Sequence, residues 1–263
     1  MRQTRFRLSI EELAFAMGIL GGANVASGFL IATLGEKSQP ELEGRLYAAG
    51  HSLMARGCLE LEGETKQLDK TLSDMVSLLL ENKFSIRCSR SAGGVEQTLN
   101  YFFRDKIIIE HRSFQEVVCQ LGIISGTQAL LELSKRFYSL PQKAPTGNQI
   151  EAAGIVPASL LERARVGISD VPQNQINLLF QEAGISVDHA KNLADDLYNP
   201  EYRGSVIRIE KENGQFVSNQ GFLLLKGMQR FWILEILSQD PTMARVFPGT
   251  DQRYNELFRA LLK

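Results

Sequence analysis

The chain has 263 residues, of which 44% are hydrophobic and 22% are charged, and its formal net charge is -1. This composition is typical of a soluble globular protein and excludes disorder over any large part of the chain. The balanced charge argues against nucleic acid as the main ligand, because phosphate binding usually leaves an excess of basic residues. The three cysteines, Cys58, Cys88 and Cys119, are widely spaced without a CxxC pair, which favours buried thiols in a reducing cytoplasm.

The first predicted elements are two short helices, at about residues 10–20 and 24–34. Ser9 and Glu12 form a capping box, the signature of a helix that starts in water. Residues 13–34 carry no charge and follow three arginines, so a signal peptide or membrane segment is the alternative interpretation. The acidic capping residues and the Gly21-Gly22 break favour a soluble helical pair.

The next stretch is predicted to be helix, short strand and helix. Ser38 and Glu41 form a second capping box that opens a helix to about Arg56, and residues 58–62 indicate a short strand followed by a turn. Asp69 then caps a helix that ends near residue 80. This order also occurs in winged-helix modules, but the acidic residues of 59–64 argue against a DNA-reading wing.

A pattern of helix, strand, hairpin and helix occurs twice in the chain. The first copy comprises a helix at residues 72–80, a strand at 84–90, a loop at 91–97, a hairpin at 98–112 and a helix opened by a capping box at Ser113 and Glu116. The second comprises a helix at 190–197, a strand at 205–212, a hairpin at 222–237 and a helix at 251–262, with 238–249 as an insertion. The sequence therefore predicts an α+β fold in which pseudo-twofold duplicated α-β-β-β-α units form a central, mostly antiparallel sheet flanked by helical bundles.

The segment between the two copies is mostly helical. Helices are predicted at residues 127–138, 157–166 and 173–183. The Pro- and Gly-rich residues 141–147 are the best linker candidate. We therefore divide the chain into an N-terminal half, 1–140, and a C-terminal half, 141–263, which we expect to form one compact domain.

No residue pattern predicts catalysis. His51, His111 and His189 lie far apart, and none has a second ligand at metal spacing. The glycines of residues 18–28 lack the lysine of a phosphate loop, and residues 122–126 fail the spacing of a nucleophile elbow. Asp195 and Asp196 are interpreted as a solvated helix face. We predict no enzyme activity, cofactor or metal.

Several short motifs resemble the EspG family of cytosolic chaperones associated with mycobacterial type VII secretion. They are LSIEEL at residues 8–13, LMARG at 53–57, Leu68-Asp69 before a helix, FSIR at 84–87, and VFP at 246–248 followed by Tyr254, Leu257, Leu261 and Leu262. The resemblance covers nearly the whole chain. It implies a binding protein that holds the apolar tip of a helical PE and PPE heterodimer with its central sheet and C-terminal helical bundle. This chain uses more Lys, Asn, Gln and Ile than the family, which is compatible with a different host and a different client. From the resemblance we expect a helical protein client that is PE/PPE-like or WXG-like.

The residues proposed to contact this client lie on the second hairpin and in the loop of the first unit. They are Met228, Phe231 and Trp232 on the second hairpin, and Gly93, Gly94, Val95 and Glu96 in the loop of the first unit. Neighbouring strand residues face opposite sides, so at least one of Phe231 and Trp232 should point into the core. Two alternatives stay open: a winged-helix DNA-binding regulator, and a non-catalytic structural subunit of a larger assembly.

Overall fold

The computed structural model describes residues 5–63, 65–114, 117–140, 152–161, 172–212, 215–237 and 239–263. The predicted linker at residues 141–147 lies outside these ranges. The contacts group the chain into two units: unit 1 contains Met1–Ser85 and Leu99–Ala129, and unit 2 contains Ile86–Thr98 and Leu130–Lys263. The main boundary by contacts thus follows Ala129, whereas the sequence places it after residue 140.

The described helices and strands alternate between short helical runs and antiparallel hairpins. In chain order they are β1 Arg5–Ser9, α1 Ile10–Ile19, α2 Ala23–Leu34, α3 Gln39–Ala55, β2 Leu59–Glu62, β3 Thr65–Leu68, α4 Lys70–Glu81, β4 Phe84–Ala92, β5 Val95–Arg104, β6 Ile107–Phe114, β7 Val118–Ile124, α5 Thr127–Phe137, β8 Gly154–Pro157, α6 Gln173–Glu182, α7 Val187–Tyr198, β9 Tyr202–Glu212, β10 Gln215–Lys226, β11 Phe231–Ile236, β12 Met243–Pro248 and α8 Asp251–Ala260.

Unit 1 combines helices α1 to α4 with an antiparallel sheet. Its strands follow the order β1-β7-β6-β5, and β2 and β3 form a separate hairpin. The predicted capping box is present at α1, where Ser9 accepts from the Glu12 amide and Glu12 accepts from the Ser9 amide. The core joins α1, α3 and α4 to the sheet through buried residues such as Leu13, Leu53 and Leu121. None of the helices in the described ranges combines the length and apolarity of a membrane span.

Unit 2 contains the strand order β4-β9-β10-β11-β12-β8 and the helices α6, α7 and α8. The β9–β10, β10–β11, β11–β12 and β12–β8 pairs are antiparallel. One face of this sheet packs against α6 and α7, with Leu225, Trp232 and Leu234 contributing from the strands and Phe180 and Leu193 from the helices. This arrangement buries the apolar face of two amphipathic helices that could not be stable alone in water.

The predicted duplication is present, with one strand more in each copy. The first copy runs α4, β4 to β7 and α5, and the second runs α7, β9 to β12 and α8. The α+β class with a mostly antiparallel sheet and flanking helices is confirmed. The supposed insertion at residues 238–249 contains β12, so it belongs to the repeat.

Two local predictions were wrong. Ser113 and Phe114 end strand β6, and β7 follows from Val118, where a capping box predicted a helix. Strand β7 pairs on both sides, with β1 and β6, and this pairing overrides the capping signal. Ser38 makes no side-chain cap bond, although α3 begins where expected. The helix predicted from residue 157 begins one residue later, because Pro157 ends strand β8. Residues 158–161 are helical, and residues 162–166 lie outside the described ranges.

Candidate functional site

Unit 2 contains a groove of about 370 Å³. Strands β4, β9, β10 and β11 supply its floor, and helix α7 and the turn of helix at residue 161 supply one wall. The lining residues are Ser89, Arg90, Ser91, Glu96, Leu161, Leu197, Arg203, Gly204, Ser205, Leu223, Leu224, Leu225 and Leu234.

The groove has an apolar side and a hydroxyl side. Leu223 pairs with Leu234 on one neighbouring strand and with Ser205 on the other, so these three side chains share a face of the sheet. Leu223 is 36% exposed, whereas Leu234 is buried. The hydroxyls of Ser89 and Ser205 lie 2.8 Å apart, so one donates to the other. A partner that fits here must be apolar on one side and polar on the other.

Two arginines border the groove, and both are held in place by backbone carbonyls. Arg90 donates from Nη1 to the Phe137 carbonyl at 2.8 Å and from Nε to Gln97 Oε1 at 2.7 Å. Arg203 donates from Nη2 to the Leu197 carbonyl at 2.9 Å, at the C-terminal end of α7. These bonds orient the guanidinium groups and so give the polar border of the groove a defined shape.

Strand β10 leads from the groove into a turn that presents Met228 to solvent. Lys226 pairs with Phe231, which leaves Gly227, Met228, Gln229 and Arg230 in the turn. The Gly227 amide donates to the Arg230 carbonyl at 2.9 Å, and Lys226 Nζ donates to the Gly227 carbonyl at 2.7 Å. Met228 is 85% exposed. An exposed, flexible apolar side chain on a hydrogen-bonded turn is suited to contact another protein.

A buried carboxylate on α7 fixes this turn. Asp196 accepts from Arg230 Nε at 2.8 Å, from Arg230 Nη2 at 3.2 Å and from Trp232 Nε1 at 2.8 Å. Arg230 Nη1 also donates to Asn192 Oδ1 at 3.0 Å. Hydrogen bonding to Asp196 raises the pKa of Arg230 above its usual value. A Cβ on Gly227 would overlap the Asp196 carboxylate, so the turn approaches α7 as closely as a glycine allows.

The structure separates the seven predicted contact residues into exposed and buried ones. Phe231 and Trp232 are buried, and Trp232 belongs to the core between the sheet and α6 and α7. Met228 is exposed at its turn. Gly93 and Gly94 form the two-residue turn between β4 and β5, each with positive φ (56° and 80°), as a type I′ hairpin requires. Val95, next to that turn, is 62% exposed, and Glu96 lines the groove.

Sequence reasoning missed Leu223, the serine pair and Asp196. Asp196 was expected on a solvated face, yet it is buried. The helical period contained the signal, because Asp196 lies three residues after Leu193 and therefore on the same, apolar side of α7. The serine pair left no such signal, since Ser89 and Ser205 meet only through strand pairing.

The metal-ligating side chains of the described residues do not cluster. These residues contain no cluster of three or more His, Cys, Asp or Glu side chains that could hold a metal ion. The three cysteines are free and buried, as predicted. Burial raises the pKa of Cys88 to about 12 and that of Cys119 to about 11, which keeps these thiols protonated and unreactive at neutral pH.

Comparison with known proteins identifies the fold through structure alone. No family model and no curated protein matches the sequence. Among solved structures, the chain is similar to the type VII secretion system chaperone EspG5 of Mycobacterium tuberculosis, solved in complex with a PE25-PPE41 dimer. The TM-score is 0.70 with 11% sequence identity, over 98% of this chain and 96% of that one. The chain therefore has an EspG-like fold.

Proposed function

We propose that this protein is a cytoplasmic chaperone or adaptor that binds the apolar tip of a helical secretion substrate and keeps it soluble until export. The observation that carries the proposal is the groove of unit 2 beside the turn that exposes Met228. Strand β10 contributes to both, since Leu223, Leu224 and Leu225 line the groove three residues before the turn. The EspG-like fold supports the same function, because EspG5 was solved with a bound dimer.

The apolar and polar sides of the groove are complementary to the apolar side chains and the unpaired backbone groups of a helical tip. Apolar residues at the tip of a helical hairpin would pack on Leu161, Leu197 and Leu223. The ends of the client helices also carry backbone N–H and C=O groups without intrahelical partners. Ser91 and the oriented guanidinium groups of Arg90 and Arg203 can meet some of these groups at the polar border.

The proposed role is binding without catalysis. The groove offers hydrogen bonds and apolar surface, and its charged side chains already have structural partners. Arg90 and Arg203 bind backbone carbonyls, and Glu96 lies 4.0 Å from Arg87. A site of this kind can hold a partner and release it unchanged.

The test is partner recovery with a groove variant and a matched surface control. Leu223→Arg places a charge on the apolar side of the groove, and Leu178→Arg places the same charge on α6 at a leucine that is 56% exposed and does not line the groove. Affinity-tagged wild type expressed in the native host should recover a helical partner. Leu223→Arg should weaken that complex by at least about 2 kcal/mol, the threshold for a binding hot spot, and Leu178→Arg should not.

The solubility of the recovered partner completes the test. We expect the partner to aggregate when purified alone and to elute as a defined complex with the wild-type chain in size-exclusion chromatography. Circular dichroism should show that the partner is mainly helical. Equal recovery with both arginine variants would exclude the groove, and a soluble, stable partner in the absence of this chain would contradict the chaperone role.

A further inference from the structure

A second groove, of about 330 Å³, lies in unit 1 between helices α1, α2 and α3. Its lining is almost entirely apolar, with Phe15 from α1, Leu30 from α2 and Leu46 from α3 among its larger side chains. This volume lies at the lower end of the range for small-molecule sites, which are typically apolar with a few polar groups that orient the ligand.

Small residues keep this groove open. Gly18 lines it from α1, and a Cβ built on Gly18 meets no atom within 4 Å. Helix α2, which forms another wall, carries no charged residue and presents Ile31 with 52% exposure beside its two buried residues. Glycine in a helix costs stability relative to other residues, so its presence here is explained by the space it leaves.

Among the described residues that line the groove, a single one is charged. Lys66, on strand β3, lines the groove, and its Nζ lies 5.2 Å from the centre of the Phe15 ring. Among the residues that the structure describes, no carboxylate forms an ion pair with Lys66. A cation held over an aromatic ring next to an apolar groove is complementary to a ligand that has an apolar tail and one negative charge.

We propose that this groove binds a single-chain amphiphile with a carboxylate head group, such as a medium-chain fatty acid. The apolar tail lies between α1, α2 and α3, and the carboxylate meets the Lys66 ammonium group. This site is independent of the helical client proposed for unit 2, because every residue that lines it belongs to unit 1.

The first experiment is isothermal titration calorimetry of the full chain with hexanoate, octanoate and decanoate, each below its micelle concentration. We expect saturable binding of one molecule per chain. Each added methylene buried in the groove should tighten binding by up to about fourfold. Decyltrimethylammonium, which has the same tail and the opposite charge, should bind more weakly than decanoate.

Two variants locate the ligand. Gly18→Leu should fill the groove and abolish decanoate binding while raising the melting temperature, since leucine is the better helix former and the position is open. Gly44→Leu is the matched control, because Gly44 also has open space in helix α3 but does not line the groove. It should leave decanoate binding unchanged.

The charged end of the ligand is tested at Lys66. Lys66→Met keeps an aliphatic side chain over Phe15 and removes the charge, so decanoate affinity should fall by about twofold to fivefold, and Lys66→Arg should restore it. Absence of saturable decanoate binding would overturn the proposal. So would equal binding of both amphiphiles, or unchanged decanoate binding by the Gly18→Leu variant.

Discussion

In each copy of the repeat an arginine at a hairpin tip forms an ion pair with a carboxylate near the end of the first helix, but only in the second copy is the carboxylate buried. In the first copy Arg104 Nη1 lies 3.1 Å from Glu81 Oε2, and the Glu81 side chain is 69% exposed. In the second copy Arg230 Nε lies 2.8 Å from Asp196 Oδ2, and the Asp196 side chain is 5% exposed. The two ion pairs should therefore contribute different amounts to the free energy of unfolding.

The two hairpins also differ in their turns. The β5–β6 hairpin closes with two residues, Asp105 and Lys106, between the paired Arg104 and Ile107, and Asp105 takes a positive φ of 55°. Such a turn is held by the strand ladder on either side. The β10–β11 turn has four residues and is closed by the hydrogen bond from the Gly227 amide to the Arg230 carbonyl, and Asp196 on α7 also holds the Arg230 side chain. In the second hairpin the arginine therefore lies in the turn, whereas in the first it lies at the end of the strand.

The largest expected effect is that of Asp196→Ala. This change removes the partner of the buried Trp232 Nε1 and two hydrogen bonds of Arg230. We expect the free energy of unfolding to fall by about 3 kcal/mol, because a buried donor is left without an acceptor and an ion pair is broken. Urea unfolding followed by the fluorescence of Trp232, the single tryptophan, measures this loss in unit 2. A loss below about 1 kcal/mol would show that the hydrogen bonds of Asp196 to Arg230 and Trp232 are not important for stability.

The two hairpins should also respond differently to acid, because β6 carries the buried His111 and β11 contains no histidine. Burial lowers the pKa of His111 to about 4, from an ordinary value near 6.5. The unfolded chain then binds a proton more readily than the folded chain. The contribution of His111 to the free energy of unfolding is therefore complete above pH 6.5 and is lost as the pH falls towards 4. The loss at pH 4 should be up to about 3 kcal/mol.

The measurement is the free energy of unfolding between pH 7 and 4 for the wild type and for His111→Gln. The variant has no group that titrates in this range at that position, so its stability should fall less steeply with acid. Identical slopes for the two proteins would contradict a neutral, buried His111. The carboxylates of the chain titrate in both proteins, so their effect on the free energy of unfolding cancels in the comparison.

Gly227→Ala tests how closely the second turn approaches α7. The new Cβ would overlap the Asp196 carboxylate, and we expect a loss of about 1–3 kcal/mol from overpacking. In an Asp196→Ala background the same change should cost much less, because the obstructing carboxylate is gone. Gly44→Ala is the control, since it lies in a helix with open space around it and should be neutral or stabilising. Equal costs of Gly227→Ala in both backgrounds would contradict the close approach.

The smallest expected effect is that of Glu81→Ala in the first copy. An exposed ion pair contributes about 0.2–1 kcal/mol, and the two-residue turn is closed without it. The free energy of unfolding should therefore change by less than about 0.5 kcal/mol. A loss equal to that of Asp196→Ala would show that burial of the carboxylate does not make the second ion pair more stabilising than the first.

The sequence alone determined the elements whose signals are local. The capping box of Ser9 and Glu12 and the Asp69 cap involve residues three apart, so the starts of α1 and α4 could be predicted without the rest of the chain. Alternating apolar runs around short polar turns likewise predicted both hairpins and their duplication. The buried thiols followed from the composition.

The tertiary structure decided whatever depends on residues far apart in the chain. Strand β7 exists because β1 and β6 pair on either side of it, although the capping box just before it, at Ser113 and Glu116, predicts a helix. Asp196 is buried because Arg230 and Trp232, more than thirty residues later, return to α7. The groove likewise forms where Leu223 lies between Ser205 and Leu234. Strand pairing and burial are properties of the assembled chain, whereas helix caps and hairpin periodicity are properties of a few neighbouring residues.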